Sequence, residues 1–177
     1  MSDAGVVAVT SSDDVVVCVH HLAPGDPAAP LLIAHATGFH AHCYQQIADE
    51  LAPRFDVWAA DVRGHGATVR PVGWRVDWSG YADDIDAASS WLSKEAGNLV
   101  SGFGHSMGGA LLLDVAARDA ERFDRLVLFE PIVFPPSPPS PPSPPNEPQT
   151  ADETDDWSLA AVARRRRRTF PAAAAAI

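Results

Sequence analysis

Short apolar runs alternate with amphipathic stretches along the first 134 residues of the chain. The apolar runs are rich in Val, Leu, Ile and Phe and end at Gly, Asp or Pro, which is typical of strands. The amphipathic stretches repeat their apolar residues every three or four positions, which predicts helices. The predicted strands are residues 6–10, 15–21, 31–35, 55–60, 99–104 and 126–129, and the predicted helices are residues 42–51, 79–94 and 106–119.

Two local features refine this prediction. The first two strands are separated by four short polar residues, 11–14, so they should form a hairpin. Ser79 is a candidate N-cap for the second helix. Beyond the hairpin, strands and helices alternate at a spacing that favours parallel pairing. The pattern therefore predicts an α/β fold, with a mostly parallel twisted sheet and helices on both faces.

The character of the sequence changes after Phe134. Residues 135–145 contain only Pro and Ser, and the prolines have no backbone donors for a helix or a sheet. We predict a polyproline II spacer of roughly 34 Å, and a ligand for an SH3-like domain is the alternative. Residues 146–157 are acidic and loop-like, and residues 159–168 could form a helix. The predicted organisation is a core over residues 1–134, a linker over 135–158, and a helical segment over 159–177.

The net charge of −10 lies entirely in the predicted core, where 18 acidic side chains face 8 basic ones. An acidic body repels phosphate backbones, so we expect no nucleic-acid partner. The run Arg164–Arg168 is either an anion-binding patch or localisation signal, or the basic face of a helix. With two cysteines, no signal peptide and no apolar stretch of membrane-spanning length, the sequence predicts a cytoplasmic protein with no membrane association.

A serine lies in the sequence Gly104-His105-Ser106-Met107-Gly108, between an apolar run and the third predicted helix. This G-x-S-x-G pattern is typical of a nucleophile elbow, a tight strand-to-helix turn that exposes the serine hydroxyl. The flanking glycines are needed because a Cβ atom would clash in such a turn. Ser106 is therefore the candidate nucleophile, and the N–H of Met107 a candidate oxyanion donor.

A second motif, His35-Ala36-Thr37-Gly38-Phe39, follows the third predicted strand. A loop at this position can supply the other backbone N–H of an oxyanion hole. Counting from the histidine favours Thr37, whereas matching the glycine favours Phe39. His35 could act as a general base, but we expect it to brace the turn through hydrogen bonds.

The third motif, residues 61–66, follows the fourth predicted strand and contains Asp61 and Arg63, followed by His65 between two glycines. We expect bidentate hydrogen bonds between Arg63 and Asp61. One Asp and one His without a third ligand do not predict a metal site, so we expect neither a metal nor a cofactor.

The three motifs, in this order at the ends of predicted strands, resemble the α/β-hydrolase superfamily over residues 6–135. The segments 61–66, 104–109 and 128–131 are similar to the branch with lipases, esterases and carbon–carbon hydrolases. The resemblance implies a triad in the order nucleophile, acid, histidine, and a cap domain that begins near Pro135. Glu130, after the strand that follows the nucleophile helix, is then either the triad acid or a strand-end carboxylate that caps a turn.

None of the seven histidines follows Ser106, which departs from the order that the family implies. We therefore expect an incomplete α/β-hydrolase that lacks the last strands and acts weakly or not at all as a serine hydrolase of small-molecule esters or similar acyl compounds. The alternative is a non-catalytic interaction module that uses the Pro-rich run and the arginine cluster. Residues 126–129 should form an exposed apolar sheet edge that favours self-association.

Overall fold

A computed structural model describes residues 5–133 of the chain. Within them, six strands form one sheet in the order β1-β2-β4-β3-β5-β6. The pairings β1–β2 and β2–β4 are antiparallel, whereas β3–β4, β3–β5 and β5–β6 are parallel. The strands are β1 Val6–Thr10, β2 Val16–Ala23, β3 Pro30–Ala34, β4 Asp56–Asp61, β5 Val100–His105 and β6 Phe123–Phe129, and the helices are α1 Gln45–Leu51, α2 Trp78–Ala96 and α3 Met107–Arg118.

The side chains of β3 show how the sheet divides the core. Leu31 and Ile33 join the apolar cluster on the face that carries α1. Leu32 and Ala34 point the other way, into the larger cluster under α2 and α3. Because successive residues of a strand point to opposite faces, a continuous apolar run fits a strand buried on both sides. The predicted α/β class, the mostly parallel sheet and the helices on both faces are confirmed.

Strand β6 lies at one edge of the sheet formed by the described residues. Its Val127 and Phe129 side chains are 56% and 53% exposed. Leu126 and Leu128 pack instead against the cluster beneath α3. An apolar groove of about 260 Å³ lies beside this edge on the α1 face, lined in part by Ile47, Phe103 and Val127. The expectation of an exposed apolar edge is thus confirmed within residues 5–133, and self-association through it stays a prediction.

The ends of two helices differ from the prediction. The N-cap of α2 is Asp77, whose carboxylate accepts the Ser79 N–H at 3.1 Å and the Ser79 hydroxyl at 2.6 Å. The predicted cap at Ser79 is wrong because the helix already starts at Trp78, directly after Asp77, which is an equally favourable N-cap residue. The predicted helix over 42–51 begins as a 3₁₀ turn, Ala41–Tyr44, before α1 starts at Gln45.

The buried ion pair of the core joins Arg63 to Asp84 of α2, which corrects the expected pairing of Arg63 with Asp61. The Arg63 Nε and Nη2 atoms donate to Asp84 at 3.0 and 2.8 Å, and both side chains are fully buried. Nη1 also donates to Asp13 in the hairpin turn at 2.9 Å. The chain turns sharply after Asp61, with the His65 N–H donating to the Val62 carbonyl, so the two side chains diverge.

No helix within residues 5–133 is both long and apolar enough to cross a membrane. The predicted linker and the predicted helical segment at residues 135–158 and 159–177 lie outside the described residues, as does the arginine run.

Candidate active site

Ser106 lies between the end of β5 and the start of α3, as predicted. Its backbone has φ 52° and ψ −110°, a conformation that non-glycine residues rarely adopt. Three backbone hydrogen bonds stabilise this strained conformation. The Ser106 N–H donates to the Phe129 carbonyl, and the Ser106 carbonyl accepts from the Ala110 and Ile132 amides. Strain of this kind persists only where the surroundings enforce it, and it concentrates at functional sites.

The glycines on either side of Ser106 allow the close approach of three backbone segments. A Cβ atom on Gly104 would lie 2.6 Å from the Cα of Gly109 in α3. A Cβ atom on Gly108 would collide with the carbonyl oxygen of Ala34 and lie 2.8 Å from that of His35. Gly108 therefore lets the start of α3 rest directly against the end of β3, where the His35–Phe39 loop begins.

We expect Gly108→Ala to lower the free energy of unfolding by roughly 2–3 kcal/mol, because its methyl group must push α3 away from the β3 backbone. Urea denaturation would measure the loss. The control is Gly97→Ala at the C-terminus of α2, where φ is 65° and open space surrounds the added methyl. At that position we expect the free energy of unfolding to fall by only about 1 kcal/mol, because alanine would have to adopt the left-handed backbone conformation. Equal losses in the two variants would contradict the close approach at Gly108.

The turn after β6 is fastened to the elbow by the Phe129 and Ile132 hydrogen bonds with Ser106. Glu130 lies between these two residues, is exposed, and has a positive φ of 46°. Within the described residues, the non-glycine residues with positive φ are Asp13, Asp14, Ser106 and Glu130. Two strained residues thus stand next to each other at the ends of adjacent parallel strands.

His35 braces the loop, as expected, and both of its ring nitrogens are used. Nδ1 lies 2.8 Å from the Ala36 carbonyl oxygen, and Nε2 accepts the Val62 N–H at 3.2 Å. The ring must therefore be neutral with its proton on Nδ1. Burial lowers the pKa of His35 from 6.5 to about 4. A ring held this way does not serve as a general base near neutral pH.

The two candidate oxyanion residues of this loop, Thr37 and Phe39, are both exposed. The Phe39 N–H already donates to the Ala36 carbonyl at 3.0 Å, which closes a turn with Gly38 at φ 77°. The Phe39 ring stands edge-on to the His105 ring, with centroids 5.9 Å apart. The loop and the nucleophile elbow therefore meet at the carboxyl ends of β3 and β5.

The carboxylate of Asp61 contacts three separate segments of the chain beside this site. It accepts hydrogen bonds from the Ala41 N–H at 2.7 Å and from the Ala67 N–H at 2.8 Å. The Nε2 atom of His20 lies 2.9 Å from the same carboxylate. Burial alone would raise the pKa of Asp61, but these amides and the His20 ring outweigh it and lower the pKa. His65 lies apart from the carboxylate, with its ring against His35. Residues 5–133 contain no group of three or more His, Cys, Asp or Glu side chains suited to a metal ion.

The sequence prediction missed Tyr44, whose hydroxyl links the two parts of the site. It accepts the Ala36 N–H at 3.0 Å and lies 2.9 Å from His105 Nδ1. Tyr44 and His105 are 61 positions apart, so no local motif could have paired them. The signal available in the sequence was weaker: a tyrosine in the first turn after the loop needs a partner for its hydroxyl once it is buried.

The strand order, the strained serine between β5 and α3, and the adjoining loop define an α/β-hydrolase. The sequence model of the family described as "Serine aminopeptidase, S33" matches residues 25–157, three quarters of the chain. The chain therefore belongs to this family of α/β-hydrolases.

Relatives of known name support the assignment. The chain is 30% identical over 115 residues to lipase LipV of Mycobacterium tuberculosis, and 30% identical over 117 residues to N-formylmaleamate deformylase of Pseudomonas putida. The matches cover 65% and 66% of this chain and 41% and 42% of the relatives. The solved structure of an N-formylmaleamic acid deformylase from Pseudomonas putida is similar with a TM-score of 0.62 and 28% identity, covering 71% of this chain and 46% of that one. The chain thus spans less than half the length of these relatives.

Proposed function

We propose that the protein is a serine hydrolase of small-molecule esters or similar acyl compounds, with Ser106 as its nucleophile. One observation carries the proposal: the strained Ser106 backbone at the junction of β5 and α3, held by hydrogen bonds to the turn after β6. Such a turn projects a hydroxyl clear of the backbone, toward a carbonyl carbon. Within the family, a relative named lipase and one named deformylase fit this class of substrate.

The oxyanion hole is proposed to consist of the Met107 and Thr37 N–H groups. Met107 is the first residue of α3, where amide groups have no acceptor within the helix and carry the positive end of its dipole. Thr37 is preferred to Phe39 because the Phe39 N–H is already taken by Ala36. The contact of Gly108 with the end of β3 supports a hole shared by the two segments, since it brings α3 beside the loop that holds both Thr37 and Phe39.

Glu130 is proposed as the acid that orients the general base. It follows the strand next to β5, and hydrogen bonds on both sides of it hold its turn against Ser106. An ionised carboxylate in such a position holds a histidine in the required tautomer and stabilises the imidazolium formed during proton transfer. The positive φ of Glu130 indicates that its position is enforced by these contacts rather than by local preference.

A fluorophosphonate probe tests the nucleophile directly, because the Ser106 Oγ would displace fluoride from phosphorus and form a stable covalent bond. We expect the 177-residue chain to gain the mass of one probe less HF, located on Ser106 by peptide mapping, and to hydrolyse a nitrophenyl ester slowly. Ser106→Ala should abolish the labelling. Ser93→Ala, on helix α2, is the matched control and should label like the parent. A folded chain that stays unlabelled, or is labelled elsewhere, would refute the proposal.

The alternative of a non-catalytic interaction module rests on the proline-rich run and the arginine cluster. Both lie outside the described residues, and nothing in the comparisons supports that function. The strained Ser106 turn supports the hydrolase proposal instead.

A further inference from the structure

A single hydroxyl joins the two parts of the candidate oxyanion hole. The Tyr44 oxygen lies 3.0 Å from the Ala36 amide, at the start of the oxyanion loop, and 2.9 Å from Nδ1 of His105, the residue before Ser106. Tyr44 is 4% exposed and ends the 3₁₀ turn Ala41–Tyr44 that leads into α1. The bridge therefore spans β3 and β5 from a third element.

The donors and acceptors of this bridge can be assigned. The Ala36 N–H can only donate, so the Tyr44 oxygen accepts there. The hydroxyl proton is then free to point at His105 Nδ1, which accepts it and carries its own proton on Nε2 when the ring is neutral. Burial raises the pKa of Tyr44, so the hydroxyl keeps its proton through neutral pH. All three groups are satisfied in one arrangement.

Aromatic contacts hold the same three segments together. The Tyr44 ring lies 6.3 Å from that of Phe39 and 6.2 Å from that of His105, and the Phe39 and His105 rings are 5.9 Å apart. The Phe103 ring of β5 packs 6.5 Å from Tyr44 on a further side. The ring fixes where the hydroxyl lies, and the hydroxyl fixes how the loop and the elbow face each other.

We propose that Tyr44 is a positioning residue of the active site, whose hydroxyl couples the Thr37 side of the oxyanion hole to the Ser106–Met107 side. This inference rests on the proposed hydrolase function. Two N–H groups from separate loops stabilise one oxyanion only when both point at the same oxygen position before the reaction starts. Sites of this kind depend on supporting residues that hold them within about 0.5 Å of the productive geometry.

Tyr44→Phe removes the hydroxyl and keeps the ring. We expect the second-order rate constant for fluorophosphonate labelling of folded protein to fall by roughly tenfold, because the two oxyanion donors are no longer held in register. Tyr81→Phe is the matched control: Tyr81 is also buried, on α2, and packs against His65 and Trp74. Its labelling rate should equal that of the parent. An unchanged rate in Tyr44→Phe, even with a lower melting temperature, would leave Tyr44 a purely structural residue and overturn the inference.

A second measurement does not depend on the reactivity of Ser106. Nitrogen-15 NMR of the ring should show the Nε2–H tautomer of His105 in the parent and a loss of that preference in Tyr44→Phe. Amide resonances of both 36–39 and 105–108 should shift together in this variant and stay in place in Tyr81→Phe. An Nδ1–H tautomer in the parent, or shifts confined to one segment, would overturn the coupling. If the parent is not labelled by the probe but shows this coupling by NMR, the proposed hydrolase function is refuted, whereas the Tyr44 link between the loop and the elbow is supported.

Discussion

Asp84→Ala is expected to lower the free energy of unfolding by about 3–5 kcal/mol, the usual cost of leaving a buried charge without its partner. The Arg63 side chain is fully buried, and Asp84 accepts from its Nε, its Nη2 and its backbone N–H. In this variant, the guanidinium of Arg63 would keep one carboxylate partner, that of Asp13, whose side chain is 61% exposed. A loss of this size is a large part of the 5–15 kcal/mol that stabilises a typical domain, so urea denaturation would detect it easily.

The adjacent residue supplies a matched control. Asp83, also on α2, pairs at 2.7 Å with Arg118, whose side chain is 41% exposed. Asp83→Ala should cost no more than about 1 kcal/mol, because exposed ion pairs contribute little. Replacing both buried partners, as Arg63→Met with Asp84→Leu, should recover part of the loss seen in Asp84→Ala. Similar costs at positions 83 and 84 would contradict the assignment of Arg63–Asp84 as the buried ion pair.

The elbow could be predicted from the sequence because its determinants are local. Gly104 and Gly108 stand two residues on either side of Ser106, and the apolar residues before and after them indicate a strand and a helix. The structure explains the spacing, since one glycine faces α3 and the other faces the end of β3. The parallel sheet could be predicted for a similar reason: strands and helices alternate, and the order of elements along the chain limits how they pair.

The partners of polar side chains could not be predicted in this way. The motif favours Asp61, two residues away, as the partner of Arg63, whereas the buried partner is Asp84, 21 residues away on α2. No local motif indicates Tyr44, because its hydroxyl bridges Ala36 in the loop after β3 and His105 at the end of β5. Hydrogen-bond partners across a sheet depend on the fold as a whole, whereas turns and caps depend on a few neighbouring residues.

A backbone hydrogen bond distinguishes the two candidate residues of the proposed oxyanion hole. Sequence spacing left Thr37 and Phe39 equivalent, and only the turn from Ala36 to Phe39 shows which N–H is already occupied. A motif therefore indicates a candidate loop, and backbone hydrogen bonds indicate which N–H groups of that loop are already occupied.

Acid should destabilise the protein over a defined pH range because His35 is held neutral in the folded state. Its pKa is lowered by burial from 6.5 to about 4, so between these values the unfolded chain binds a proton that the folded chain does not. The free energy of unfolding must then fall as the pH falls through this range. A shift of this size corresponds to about 3 kcal/mol. The lowered pKa values of Asp56 and Asp61 reduce stability mainly below their usual value of 3.8, so they overlap only the acidic end of this window.

Urea denaturation at several pH values between 7 and 4 would measure this effect, with His35→Asn as the test variant. The Asn amide can donate to the Ala36 carbonyl from the position of Nδ1, whereas it does not reach the Val62 N–H and does not titrate. We expect this variant to be less stable than the parent at pH 7 and to lose far less stability on acidification. His40→Asn, which removes an exposed ring instead, should keep the steep pH dependence of the parent. A parent whose stability is constant from pH 7 to pH 4.5 would show that His35 accepts a proton in the folded state and does not brace the loop as a neutral ring.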